Sequence, residues 1–198
     1  MRFFIVRHAE TDWSKEQRLQ GQTDIPLNQN GLAQAAELAE RLSGTDITHI
    51  LTSDLSRARE TGRVVAERLS LPFLVDSRLA ECRFGSIEGL ARKEIVTRHG
   101  ETFIASVNRL YDFHSVGGER YDEVLQRTLA ALSEFYKKYA DGIPLIVTHG
   151  RLILTLFTPQ QLEKVPPTGT CIKVEFESPI PFDLNIKFSD VGIFNGIE

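Results

Sequence analysis

The sequence predicts an α/β fold with helices on both faces of one sheet, and three observations carry that reading. Short, continuous apolar runs end abruptly in charge or in a turn, as strands buried on both faces do. Stretches of helical period separate them, and strict alternation of the two element types is the mark of a layered α/β sheet. Finally, 198 residues with 41% hydrophobic content suit one core, and no repeat, low-complexity tract or linker divides the chain. The expected organisation is a single domain over residues 1–198.

Each element follows from local pattern. Phe3 to Val6 is the first buried strand. Leu32, Ala35, Ala36, Ala39 and Leu42 recur at helical spacing, with Asn28 and Asn30 as start signals and Gly44 as a stop. Ile47 to Leu51 reads as a strand, Ser56 to Leu69 as a helix with Val64, Val65 and Leu69 inward, and Pro72 to Val75 as a short strand. Between Arg78 and Gly118 the pattern is least regular, with helices expected around Lys93 to Arg98 and Ile104 to Tyr111. This irregular middle is a candidate lid, bounded at 82–118. From Tyr121 a long amphipathic helix places Val124, Leu125, Leu129, Leu132, Phe135, Tyr136 and Tyr139 on one face. Pro144 to Thr148 is another buried strand, followed by an apolar helix from Leu152 to Phe157. The tail switches to period two. Ile172, Val174 and Phe176, then Phe182, Leu184, Ile186 and Phe188, alternate with mostly polar residues and read as two half-exposed strands joined through Ser178 to Pro181.

Composition removes several functions. The balance of 23 Lys+Arg against 27 Asp+Glu gives a net charge of −4, which offers no bulk attraction for nucleic acid. No apolar run approaches the roughly 18–20 residues that span a bilayer, and Phe3 to Val6 is too short for a signal-peptide core. No membrane association is expected. Cys82 and Cys171 lack the spacing of a metal ribbon or a disulfide framework. A cytoplasmic location with inert, buried thiols is the expectation.

In open α/β sheets, ligands bind beyond the carboxyl ends of the strands. Those ends carry Arg7-His8-Ala9-Glu10-Thr11, then Thr52 to Arg59, then Leu79-Ala80-Glu81, then His149-Gly150-Arg151. Two histidines, two or three arginines and one glutamate therefore gather at one crevice. Guanidinium forks match phosphate oxygens and stay charged. With no activated Cys, Ser or Asp nearby, a histidine is the natural covalent acceptor. A single carboxylate suffices to protonate a leaving oxygen and then to deprotonate water. Nothing in the set resembles a hard-cation site, so metal-free phosphoryl transfer without a cofactor is the consistent chemistry. No HExxH-like pairing gives His49, His99 or His114 a metal partner, and they are read as structural or surface residues.

The run Arg7 to Thr11 resembles the RHGET signature of the histidine phosphatase superfamily, which includes the cofactor-dependent phosphoglycerate mutases. Further segments resemble that family's motifs in order: Leu19 to Leu27 its LQGxxDxPL, Ser53 to Ala58 its SDLxRA, Leu79 to Glu81 with Phe84-Gly85 its LxE..FG, Gly117 to Glu119 its GGE, and Val147 to Gly150 its VSHG. The resemblance implies a three-layer α/β/α sandwich with a mostly parallel central sheet. It implies that His8 carries a phosphohistidine, that Arg7, Arg57 and His149 hold the equatorial oxygens, and that Glu81 is the general acid and base. Thr11, Ser14, Gln20, Gly21, Arg59 and Gly150 are implied to line the phosphate and substrate side. Four departures stand out: Ala9 for the usual Gly, Ser14 for the common Asn, Arg120 where Ser is usual, and Arg151 after His149-Gly150. None removes a catalytic position.

The expected activity is hydrolysis of a small phosphorylated metabolite. A phosphoglycerate mutase shares every catalytic residue and differs in keeping the phosphoenzyme dry. Members with mutase activity tend to be longer, with an insertion over the site, whereas only Ile104 to Val116 and Thr158 to Thr168 are available here as cover. A non-catalytic phosphate-binding protein is the reading from another class, and intact His8 and Glu81 speak against it. Phe103, Tyr111 and Phe113 are placed either on an apolar leaving group or in the core. The tail offers an edge strand that either pairs in a homodimer or faces solvent.

Overall fold

Alternate residues of the strands feed two separate hydrophobic layers, and this alternation builds the molecule. The computed structural model describes residues 2–101, 103, 113–157 and 162–175. Its sheet has five strands: β1 (Arg2–Arg7), β2 (His49–Thr52), β3 (Phe73–Val75), β4 (Pro144–Thr148) and β5 (Cys171–Glu175), in the order β3-β2-β4-β1-β5. β1, β4, β2 and β3 run parallel, with Phe4 opposite Leu145 and Ile50 opposite both Leu145 and Phe73. Only β5 is antiparallel, pairing Ile5 with Ile172 at the edge. The fold is the mostly parallel α/β/α sandwich expected.

Six helices accompany the strands among the described residues: α1 (Asp12–Lys15), α2 (Gln29–Arg41), α3 (Ser56–Leu69), α4 (Arg92–His99), α5 (Tyr121–Lys138) and α6 (Gly150–Thr155). On one face, Phe4, Val6, Ile50, Leu145 and Val147 pack against Leu38, Ala39 and Leu42 around α2 and Ala58 and Val65 of α3. On the other, Phe3, Ile5, Leu51, Ile146 and Ile172 meet Val124, Leu129, Leu132 and Phe135 of α5 and Leu152 and Ile153 of α6. A two-residue period thus sorts each strand into two cores.

The inward face of α2 differs from the sequence expectation. Ala35, Ala39 and Leu42 are buried as expected, but Leu32 and Ala36 face outward, and Leu38 is buried with the inward set instead. Asn28 does cap the helix, its side chain accepting from Gly31 N at 2.8 Å. The described part of 82–118 is anchored rather than detached, with Phe84, Ile87, Ile95 and Phe113 buried in the second core. Leu19 and Gly89–Leu90 exchange backbone bonds, tying this segment to the loop after α1. The expected helix from Ile104 to Tyr111 lies outside the described residues, as does the second tail strand, Phe182 to Phe188. Among the described residues, no helix is long and apolar enough to cross a membrane.

Candidate active site

The carboxyl ends of β1 and β4 lie side by side, Arg7 opposite Thr148, and the chain leaves both strands directly into the site. His8 N continues the ladder by donating to Thr148 O at 2.8 Å. His149 follows β4 directly and precedes α6. As a result the two imidazoles face one another, with ring centroids 5.2 Å apart and planes inclined by 54°.

Helix α2 fixes the loop after β1. Glu10 O accepts from Asn28 N, Glu10 N donates to Gln34 Oε1, and a Cβ on Gly31 would stand 2.1 Å from Glu10 O. Only a glycine lets α2 press that close. Ala9 is fully buried, and its N–H donates to Thr61 Oγ1 on α3 at 3.1 Å. The extra methyl of Ala9 relative to the family's Gly is therefore accommodated in packing.

His8 is 2% exposed. Its Nδ1 lies 2.7 Å from Ala9 O, an acceptor only, so Nδ1 carries the proton and Nε2 keeps its lone pair. Burial first, and then Arg57 and Arg7, hold the His8 pKa well below the usual imidazole range. His149 is pushed down likewise, by burial and then by Arg57 and His8. Both rings are neutral at neutral pH. Ser53 Oγ lies 2.9 Å from His149 Nε2 and accepts from Leu55 N at 3.2 Å. Among the described residues the Ser53 hydroxyl proton has no other acceptor, so it goes to Nε2, which places the ring proton of His149 on Nδ1.

Arg57 sits one residue into α3 and is 0% exposed. Its Nη1 donates to Thr23 O at 3.0 Å and its Nη2 to Gly21 O at 2.6 Å. The same loop returns the contact: Asp24 Oδ1 accepts from Ser56 N and Ser56 Oγ at 2.8 and 2.7 Å. That carboxylate caps α3 from outside, where Leu55 at the cap position has no side chain to do so. Burial lowers the Arg57 pKa to about 10, so it remains a cation. Arg7 Nη1 donates to Pro166 O at 2.8 Å, and burial lowers its pKa against the opposing pull of Glu81.

Four buried side-chain nitrogens have no hydrogen-bond partner among the described residues. Three of them are Arg7 Nε, Arg57 Nε and His149 Nδ1; the fourth, Arg2 Nε, lies at the opposite end of β1. Buried donors are nearly always paired, so three orphans on one constellation mark a site built for an acceptor-rich group.

Glu81 is 7% exposed and sits over the N-terminus of α6. Its Oε1 accepts from Cys82 N at 2.9 Å and Leu152 N at 3.1 Å, and its Oε2 from Arg151 N at 3.2 Å. A carboxylate offers about four lone-pair directions, so Oε2 retains one for a transferable proton.

The remaining candidates divide. Gly21 is in the left-handed region at φ +54°, and a Cβ there would reach within 2.1 Å of Glu88 Oε1. Gly150 opens α6 and is buried beside Arg7. Thr11 and Gln20 are buried and bonded to each other, Thr11 Oγ1 donating to Gln20 Oε1 at 2.9 Å. Ser14 is committed elsewhere: it closes a capping box, with Thr11 N donating to its Oγ and its hydroxyl donating to Thr11 O, both at 2.9 Å. Arg59 is exposed, since two positions along a helix from Arg57 is about 200° around the axis. Phe113 is core, its ring tilted by 55° against Phe84 with centroids 4.6 Å apart, and Phe103 packs at the core's edge. His49 packs on Tyr139, His99 stacks on Phe103, and His114 is exposed. Cys82 and Cys171 are buried thiols with pKa values raised by burial, that of Cys171 to about 12. Among the described residues, no three His, Cys, Asp or Glu side chains cluster as metal ligands.

Two carboxylates escaped the residue-by-residue reading. Glu88 accepts from Gln22 N, Thr23 N, Thr23 Oγ1 and Phe84 N, and so shapes the loop whose carbonyls hold Arg57. Glu119 pairs with Arg127 beside Glu81. Glu119 stood in a matched motif, Gly117 to Glu119, and Glu88 in none; what either holds was not visible in the sequence.

Fold and side chains together define a three-layer α/β protein with paired, neutral histidines and two arginines at the carboxyl edge of its parallel strands. The chain belongs to the histidine phosphatase superfamily (branch 1), whose model matches residues 3–169. A probable phosphoglycerate mutase GpmB from Klebsiella pneumoniae is 36% identical over 150 residues, covering 76% of this chain and 70% of that protein. The corresponding protein of Enterobacter sp. is 35% identical over the same shares. Among solved structures, a mycobacterial glucosyl-3-phosphoglycerate phosphatase complexed with VO3 superposes with a TM-score of 0.79 at 27% identity, over 88% of this chain and 90% of that one. Bacillus stearothermophilus YhfR gives 0.76 at 28% identity, over 94% and 98%.

Proposed function

We propose that the chain is a cytoplasmic phosphatase that hydrolyses small phosphomonoesters through a phosphohistidine on His8, without a metal ion. The observation that carries this is the trio of orphan donors, Arg7 Nε, Arg57 Nε and His149 Nδ1, around a histidine whose Nε2 is left with its lone pair. Three donors answer the three equatorial oxygens of a transferring phosphoryl group, where transition-state charge develops.

Two steps follow. His8 Nε2 attacks phosphorus as the bond from phosphorus to the ester oxygen breaks, and Glu81 Oε2 gives its proton to that oxygen, releasing an alcohol. The proton arrives with a monoanionic ester or from solvent. Glu81, now ionised, takes a proton from water as the water oxygen attacks phosphorus. The phosphorus–nitrogen bond breaks, phosphate leaves, and His8 returns neutral. Depressed basicity matters here, because a protonated His8 has no lone pair to offer.

The likeness to a phosphatase solved with VO3 supports the hydrolytic reading, and relatives named phosphoglycerate mutase keep transfer to a bound acceptor as the second one. In this reading 82–118 remains the candidate cover over the site, its described part held in place by Phe84, Ile87, Ile95 and Phe113. Rapid quenching with a labelled ester should trap acid-labile, base-stable phosphate on His8. Label elsewhere, or none, overturns the mechanism. Release of inorganic phosphate from a panel of metabolite esters, with mutase turnover of 3-phosphoglycerate measured alongside, separates the two outcomes. Activity should survive EDTA.

A further inference from the structure

Glu81 lies in a stretch with little regular structure of its own, between the 3₁₀ turn Ser77–Leu79 and the turn Gly85–Ile87. Backbone there has no ladder to satisfy its carbonyls. One side chain from α5 satisfies three of them. Arg127 Nη1 donates to Arg78 O and Ala80 O, both at 2.7 Å, and Nη2 donates to Glu81 O at 3.1 Å. The rest of the guanidinium is gripped by Glu119, Nε to Oε1 at 3.0 Å and Nη2 to Oε2 at 3.1 Å. Glu119 in turn accepts from Arg83 N at 2.8 Å, on the far side of Glu81. Gln22 Nε2 completes the frame by donating to Glu81 O at 3.1 Å. The chain on both sides of the carboxylate is thereby pinned to one long helix.

We infer that Arg127, held by Glu119, is a positioning residue that fixes the Glu81 backbone so that its carboxylate meets the leaving oxygen. This rests on Glu81 being the proton carrier. Two anchors act on Glu81 independently: the N-terminus of α6 holds its carboxylate, and Arg127 holds its main chain. A lysine is a single point charge with three donors and cannot reproduce a planar fork that makes five bonds. Without the fork, three carbonyls and a half-buried carboxylate lose their partner together, and the stretch shifts to find water. A displacement of about 1 Å at a proton donor can cost about a hundredfold in rate.

The effect has a signature that loss of structure lacks. Protonation matters most when the leaving group is a poor one, so positioning of Glu81 shows in kcat/KM for an alkyl phosphate and hardly for 2,4-dinitrophenyl phosphate. Because kcat/KM reports transfer to His8 and not the later hydrolysis, the comparison isolates the step in which Glu81 is the acid. The experiment measures both esters for the wild type, Arg127→Met, Arg127→Lys, Glu119→Gln, Glu81→Gln and the Glu81→Gln/Arg127→Met double variant, with thermal melts for each. Glu81→Gln should slow the alkyl ester by about 10²- to 10⁴-fold and the dinitrophenyl ester far less. Arg127→Met and Glu119→Gln should show the same selectivity, and Arg127→Met should add almost nothing once Glu81 is already Gln. Equal losses on both esters, or full additivity in the double variant, overturn the positioning role. A non-selective Glu81→Gln instead overturns the assignment of Glu81. If Arg127→Met does not fold, Arg127→Lys and Glu119→Gln decide the question by the same comparison.

Discussion

Ser53→Ala tests the tautomer logic of the site most directly. Ser53 is fully buried at the end of β2, and its hydroxyl lies 2.9 Å from His149 Nε2 as that nitrogen's hydrogen-bond partner. Because burial and Arg57 keep His149 neutral, only one ring nitrogen carries a proton. The Ser53 hydroxyl puts it on Nδ1, the orphan nitrogen proposed to donate to a phosphoryl oxygen. Alanine removes a hydrogen bond worth about 1 kcal/mol and leaves Nε2 buried without a partner, a cost of about 1–3 kcal/mol. The ring is then free to hold its proton on the wrong side. Losing one transition-state donor outright costs about 10²- to 10³-fold. Here the donor is only partly lost, so kcat/KM should fall about tenfold. The melting temperature should fall by about 2–4 °C per kcal/mol of the lost stability. Steady-state hydrolysis of p-nitrophenyl phosphate, with inorganic phosphate as competitive inhibitor, measures the effect on the transition state and on the bound anion. A kcat/KM within twofold of wild type, in a variant that melts lower, would show that Ser53 stabilises the fold without setting the tautomer, and the reasoning fails.

Two further outcomes follow from the same geometry. His8 and His149 have pKa values depressed below 6.5 in the folded state, so below that pH the unfolded chain binds more protons and stability falls as pH falls. Above 6.5 neither histidine contributes. Each contributes a slope of up to about 1.4 kcal/mol per pH unit below it, until its folded-state pKa is reached. Urea unfolding at pH 7.5 and 5.5 should show the loss, and His149→Gln should shrink it; an unchanged difference in that variant would refute the linkage. Gly21→Ala places a methyl where Glu88 Oε1 now sits and asks an L-residue to hold φ +54°, a conformation costing about 1–2 kcal/mol by itself. It should lower both the melting temperature and kcat/KM, because Gly21 O and the Glu88-braced loop hold Arg57. A melt and a rate that both match wild type would show that the loop is not what orients Arg57.

How much of this was legible depended on whether the signal was local. The strands were, because a run such as Phe3 to Val6 buried on both faces has no polar face to disguise it. So was the Asn28 cap, since a cap acts within three residues. The inward face of α2 was misjudged at Leu32 and Ala36 because apolar character alone did not fix the helix's rotation; the sheet chose Leu38 instead. Arg59 was avoidable: if Arg57 points inward, helical geometry turns a residue two positions on toward solvent. Ser14 followed Thr11 at the spacing of a capping box, which competes with a ligand for the same hydroxyl. The cross-braces were hidden for another reason. Glu88 and Arg127 act on residues 65 and 46 positions away, at Thr23 and Glu81. From sequence, a charged residue on α5 is indistinguishable from a solvated one.

Local arrangement explains how a chain with a net charge of −4 could support the proposed anion site. Two guanidiniums against one carboxylate leave the crevice one unit positive, with both histidines neutral. A phosphate dianion brings it to one unit negative, so a protonated His8 would favour the bound dianion while removing the lone pair that attacks it, and acid acts on binding and on transfer in opposite directions. Burial supplies this arrangement: it depresses the histidines far more consequentially than it depresses Arg57, whose pKa of about 10 still lies well above neutrality. The same desolvation therefore keeps His8, the proposed nucleophile, unprotonated and leaves Arg7 and Arg57 charged. What prevents the arginines from escaping toward water is the set of backbone carbonyls, Gly21, Thr23 and Pro166, that hold their terminal nitrogens and leave each Nε unpartnered. The acidic surplus elsewhere on the chain follows a separate logic. It lies at exposed positions such as Glu67 and Glu134, where solvent screens it from the crevice.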